Sequence, residues 1–274
     1  MSRVFTVVLW AATILALAFL VVPVVAIFLQ VPPGELVDAL GSDVALDALR
    51  VTLATTLVAQ AVILLVGTPA AYLLATRRFP GRSVVITLTE LPLVLPPAVA
   101  GIALLAAFGR VGLLGDTLSA FGIEIAFTRL AVVLAIVFVA GPFFLRTAIA
   151  AFEAVDATLV EASRTLGAGP GRTFARVALP LASAGLGAGA ALSFARGIGE
   201  FGATIMFAGS LQGVTQTLSL AVYEQFDVDF ETALAIGGEL VAASAVLLLV
   251  VKLIPSWRRS GQSFPILSAR SASS

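Results

Sequence analysis

Six predominantly apolar runs, each long enough to cross a bilayer, decide what this chain can become. They lie at roughly 5–29, 52–76, 84–108, 129–151, 180–207 and 233–254. A helix needs about 20 apolar residues to traverse the hydrocarbon core. The expected fold is therefore all-α, a polytopic membrane bundle of six transmembrane helices. Composition agrees. Of 274 residues, 59% are hydrophobic and 12% charged, whereas soluble domains carry about 25% charge. So little charge cannot cover a water-facing surface. Residues 1–255 are read as one membrane domain and 256–274 as a short tail, expected to be disordered. Arg3 before an apolar run raises a signal peptide, but no clear Ala-x-Ala site follows, so a retained anchor is expected.

The formal net charge is zero, but the charges are sorted. With six spans, Arg3, Arg77, Arg78, Arg82, Arg146, Arg164, Arg172, Arg176, Lys252, Arg258, Arg259 and Arg270 share one side, twelve of the sixteen basic residues. Basic residues mark the cytoplasmic side, which places both termini inside. Glu35, Asp38, Asp43, Asp47, Asp116, Glu124, Glu224, Asp227, Asp229 and Glu231 fall on the other side. Absences narrow the chemistry. Without cysteine or histidine there is no disulfide, no thiol nucleophile and no His-based triad. The single lysine, Lys252, follows Val251, so the Gly-Lys-Ser/Thr of a phosphate-binding P-loop is missing.

Proline and glycine interrupt the spans. Pro23, Pro69, Pro92, Pro96, Pro97 and Pro142 lie inside them, and Pro180 opens the fifth. Each removes a backbone donor and kinks or breaks a helix. The freed carbonyls then need neighbours or a water-lined cavity. The fifth run carries Gly185, Gly187, Gly189, Gly197, Gly199 and Gly202, with Gly185 and Gly189 in small-xxx-small spacing. Two readings follow: tight packing, or segments three and five lining a pathway. Arg196 and Glu200 lie within the fifth run, four apart on one helix face. An ionisable residue inside a span is a functional hypothesis. The pair fits a structural salt bridge, an anion-handling site or the outer interface, and these stay open. Glu90 and Glu239 are shallow and expected to be interfacial or paired.

The longest inner loop covers 153–179. Leu159, Ala162 and Leu166 give Ala157–Leu166 helical spacing, and Gly167 suits a C-terminal cap. Gly169-Pro170-Gly171 reads as a turn, followed by a short helix from Arg172 that ends at Pro180. Such a pair lies across the cytoplasmic face, against the membrane or against a partner.

The loop resembles the "EAA" loop of ABC-importer permeases. Glu161-Ala162-Ser163, three residues, Gly167-Ala168, and then Val177-Ala178-Leu179-Pro180 keep that pattern's spacing. Ser163 stands where the pattern has Ala, Val177 where it has Ile, and Gly169 where relatives usually carry a polar residue. Leu91-Pro92-Leu93-Val94-Leu95-Pro96-Pro97, and Arg196-Gly197-Ile198-Gly199-Glu200-Phe201-Gly202 with the Ala203-Thr204-Ile205-Met206 that follows, resemble molybdate and tungstate permeases. Sulfate permeases are close relatives, typically with Tyr at the position of Phe201. The resemblance implies a permease subunit, itself no enzyme and without cofactor, in the cytoplasmic membrane. It implies a homodimer of permease chains, two ABC subunits that bind ATP-Mg, and an extracytoplasmic oxyanion-binding protein. The coupling set is Glu161, Ala162, Ser163, Gly167, Ala168, Leu179 and Pro180. The gate set is Pro92, Pro96, Pro97, Arg196, Gly199, Glu200, Phe201 and Gly202. The alternatives are a sulfate or thiosulfate permease, and an ion-coupled secondary transporter.

Overall fold

The computed structural model describes residues 3–32, 34, 38 and 41–259, and all regular structure among them is helical. The long helices are α1 (Arg3–Gln30), α2 (Asp43–Thr76), α6 (Arg129–Glu153), α9 (Leu179–Ile198) and α12 (Phe230–Arg259). Shorter ones are α3 (Arg82–Val94), α4 (Pro97–Phe108), α5 (Gly115–Ala120), α7 (Ala157–Thr165), α8 (Pro170–Thr173), α10 (Gly202–Ala208) and α11 (Leu218–Phe226). A π-helical turn, Phe174–Ala178, joins α8 to α9. Among the described residues four stretches are long and apolar enough to span, α1, α2, α6 and the continuous run Pro170–Ile198, and α3 with α4 makes a fifth if the bent pair is one span.

The third predicted segment is not one straight span. It divides at Leu95–Pro96, where the helix bends by 117° between α3 and α4. Pro96 and Pro97 cannot donate to the preceding turn, so the helix ends at Val94 and restarts with Pro97 as its first residue. The fifth predicted segment, 180–207, also breaks, at Gly199–Phe201 between α9 and α10. The sixth, 233–254, lies within α12. Of the tail expected to be disordered, residues 256–259 continue α12, and 260–274 lie outside the described residues.

α6 is the central helix. It packs against α2, α9, α10, α3 and α4. Its run from Arg129 to Arg146 has no charged residue between, and a helix apolar all round is one that packing can bury on every side. Accordingly 56% of its most apolar stretch is buried, against none of α1. The α6–α9 seam is built on small residues. A Cβ placed on Gly185 would sit 2.5 Å from Ala151 Cβ, on Gly189 3.1 Å from Thr147 Cβ, and on Gly197 2.8 Å from Ile136 Cγ2. As α9 advances, its contacts step backward along α6, so the two helices run antiparallel. With lipid tails as apolar as leucine, close backbone approach supplies the attraction that hydrophobicity cannot.

Candidate functional site

Two regions hold the residues that the sequence singles out, one at each end of α9. At its start lies the loop. Asp156 caps α7 by accepting the Thr158 N–H at 2.9 Å and the Thr158 hydroxyl at 2.8 Å. Those bonds, the backbone one first, hold the Asp156 carboxyl below the ordinary carboxylate range. Gly167 ends α7 at φ +84°, a conformation that costs a side-chain-bearing residue energy. Gly167 N–H donates to Arg164 O at 2.9 Å and Ala168 N–H to Ser163 O at 3.0 Å, the paired bonds of a Schellman cap. The Ser163 hydroxyl donates to Val160 O at 2.9 Å and lies 3.0 Å from the buried Thr173 hydroxyl. The one departure from the Glu-Ala-Ala pattern therefore links α7 to α8. Glu161 and Ala162 are exposed beside it, and α7 has no buried residue.

Two details of the loop differ from expectation. Gly169 has an ordinary φ of −66° and caps a helix that begins at Pro170, so Gly169-Pro170-Gly171 starts a helix instead of turning the chain. Nor does the second helix end at Pro180. It passes through Leu179 and Pro180 because the π turn intervenes, with Leu179 N–H bonded to Phe174 O. In a regular α-helix the Pro180 ring would press on the carbonyl four residues back. The wider turn accommodates it.

At the other end of α9 the two broken segments meet. A Cβ on Gly202 would lie 2.6 Å from Pro97 Cβ, and one on Gly101 2.6 Å from Ala203 O. α4 and α10 thus touch backbone to backbone. Pro97 and Gly202 from the gate set are in contact, whereas Pro92 lies inside α3, half-buried and before the break. Phe201 packs on Tyr223 of α11, with ring centroids 4.9 Å apart. Arg196 and Glu200 do form the expected pair, Nη1 to Oε2 at 2.7 Å. They do not share a helix, because α9 ends at Ile198 and Glu200 follows in a turn with its N–H on Gly197 O at 3.1 Å. Glu200 is 2% exposed, and its other oxygen accepts the Ala203 N–H at 2.7 Å, capping α10. One carboxylate so fixes both sides of the break. The Arg196 side chain keeps 29% exposure. Between α2 and α9, Gln60 donates to Ala190 O at 3.3 Å and accepts from Ser193 at 3.2 Å.

Sequence reasoning missed the Arg82–Glu153 contact and the identity of the partner of Glu90. Arg82 lies 2.5 Å from Glu153, and Glu90 3.7 Å from Arg146. Opposite charges at matching ends of two apolar segments were the available signal. α11 was likewise not expected as a helix; its N-terminal Leu218 N–H is capped by the Thr52 hydroxyl at 2.8 Å. Among the described residues no group of acidic side chains is placed to hold a metal.

A helical membrane bundle with two interrupted helices in contact, and a stiff exposed loop at the far end of one of them, defines a membrane transport component. Residues 64–257 match the family described as binding-protein-dependent transport system inner membrane component, and the chain belongs to that family. It is 42% identical over 240 residues to the molybdenum transport system permease protein ModB of Mycobacterium tuberculosis, covering 87% of this chain and 90% of that one. It is 38% identical over 210 residues to the sulfate transport system permease protein CysT of Escherichia coli, covering 76% of each. The fold is similar to that of a bacterial ABC transporter involved in the import of the acidic polysaccharide alginate. There the TM-score is 0.74 at 15% identity, covering 92% of this chain and 94% of that one.

Proposed function

We propose that the chain is the permease subunit of an ABC importer that carries molybdate or tungstate across the inner membrane. Two copies form the pathway, both termini are cytoplasmic, a binding protein delivers the oxyanion outside, and two separate ATPase subunits bind ATP-Mg. The observation that carries this reading is the loop. α7 is capped at both ends, tied to α8 through Ser163 and Thr173, and free on its outer face at Glu161 and Ala162. That is a rigid element waiting for a partner surface. The missing P-loop fits the same division of labour. The molybdenum permease relative supports the substrate.

α9 is 20 residues long, so at 1.5 Å per residue about 30 Å separates the loop from the Gly199 break. An ATPase that closes around α7 displaces this lever, and the α4–α10 contact feels it. Arg196, partly exposed beside the break, meets the anion, while Glu200 positions Arg196 and caps α10. Reconstitution of the permease with its ATPase and binding protein in proteoliposomes tests the reading. Molybdate should accumulate with ATP, and Arg196→Ala, combined with Glu200→Gln so that no buried charge is left alone, should abolish accumulation while the complex still assembles, with Glu200→Gln by itself as the control. An isolated chain that moves the anion along an ion gradient without an ATPase would overturn it. The sulfate permease relative favours a second reading, sulfate as substrate, and competition by sulfate in the same vesicles decides between them.

A further inference from the structure

The root of the coupling loop is fastened to α3, the first half of the broken segment three. Arg82 opens α3 and reaches two other helices. Its Nε donates to Leu74 O at 2.5 Å, in the last turn of α2, and its Nη2 to Glu153 Oε1 at 2.5 Å, at the last residue of α6. A guanidinium suits the carbonyl end of α2, but a carboxylate is misplaced at the carbonyl end of α6. Glu153 is electrostatically favourable there only through Arg82. A second pair, Glu90 with Arg146 at 3.7 Å, lies eight residues on along α3 and seven residues back along α6. The helices are therefore antiparallel and pinned at two points about 11 Å apart. The order of charge is crossed, Arg then Glu on α3 against Arg then Glu on α6. A slide that put Arg82 beside Arg146 would set like charges together.

Beside these pairs three rings close on one another: Tyr72 of α2, Phe152 of α6 and Phe174 of the π turn. Tyr72 lies 5.3 Å from Phe152 and 4.8 Å from Phe174, and Phe152 lies 6.2 Å from Phe174, centroid to centroid. Phe152 immediately precedes the loop and Phe174 lies near its end. Both strands of the loop's root are thus held in one packed unit, and Glu153 hands that unit to α3 through Arg82. From Arg82, α3 runs 13 residues to the break at Leu95–Pro96, about 20 Å.

We propose that Arg82 and Glu153 are positioning residues that deliver displacement of the coupling loop to the Pro96 break, in parallel with the path through α9. The inference rests on the ATPase-coupled reading above. The chain has no cysteine, so Val94→Cys, at an exposed position next to the break, accepts a single bimane label per chain. In the reconstituted complex with ATPase and binding protein, the bimane emission should change between the nucleotide-free and ATP-bound states. Adding Arg82→Ala should remove most of that change and lower the oxyanion moved per ATP by about fivefold, while ATP hydrolysis continues. Glu153→Gln, which keeps shape and loses charge, should do the same and serves if Arg82→Ala fails to assemble. An emission change of full size in the clamp variants overturns the proposal, as does an unchanged emission in the clamp-intact complex that still transports. If the clamp-intact chain binds no ATPase at all, the ATPase-coupled reading falls and the clamp falls with it.

Discussion

The two ends of α9 are built by opposite means. At the start, short-range hydrogen bonds in exposed and partly buried positions hold the loop: Asp156 to Thr158, Ala168 to Ser163, Ser163 to Thr173. At the far end the hold comes from buried contact. Glu200 is enclosed between Arg196 and Ala203, and Gly202 lies against Pro97. An exposed bond replaces a bond to water and is individually weak. A buried carboxylate or a backbone-on-backbone contact has no such substitute. The loop can therefore meet a partner without losing its shape. The Gly202–Pro97 contact leaves no room for an added atom.

The largest effect should come from the break. Glu200→Ala leaves Arg196 unpaired and removes the cap on α10, and should lower stability by about 3 kcal/mol, read as thermal unfolding of the detergent-purified chain. Glu200→Gln should recover part of it, since the amide oxygen can still accept the Ala203 N–H. A stable Glu200→Ala chain would erase the contrast between the two ends. Next, Gly202→Val drives a side chain into Pro97 and should cost about 2 kcal/mol, with transport falling further than stability because α4 and α10 are pushed apart. Wild-type transport by that variant would mean that the close approach is incidental.

Effects at the loop should be smaller in stability. Gly167→Ala forces a side chain to φ +84° and should cost about 1 kcal/mol. No neighbouring atom obstructs a Cβ there, so the cost is conformational, and Gly167→Asn should restore part of it. The mildest effect is one of pH. Asp156 is a stronger acid in the folded loop than in the unfolded chain. Its contribution is complete above the unfolded pKa and is lost as pH falls through the folded one. Acidification should therefore raise amide exchange at residues 157–160, after correction for intrinsic rates. Asp156→Asn, which caps without titrating, should remove the pH dependence. An equal response in both forms would assign the fraying to another group.

Glu239 and Glu90 illustrate how far linear reading reaches. Each was expected to be interfacial or paired. Glu90 has its partner in Arg146, whereas Glu239, against that expectation, is buried on α12 with its Oε2 unpartnered among the described residues. The partner's identity was not legible, because it lies on a helix more than fifty residues away. Arg196 and Glu200 were legible as a pair from spacing alone. That spacing assumed a continuous helix, and the pair survives the break because the turn at Gly197–Glu200 returns the carboxylate to Arg196.

The sequence alone determined the helical membrane class, since only long apolar runs with internally bonded backbone are stable in lipid. It also located the loop, the Gly167 cap and the proline and glycine interruptions, because those are properties of single residues and short spacings. Only the tertiary structure decided that segment three folds back at 117°, that Gly202 touches Pro97, and that Glu200 serves two helices at once. It also decided that a π turn carries the chain past Pro180. These depend on which backbones approach one another. That is settled by packing around α6 among residues distant in the chain, which no local period records.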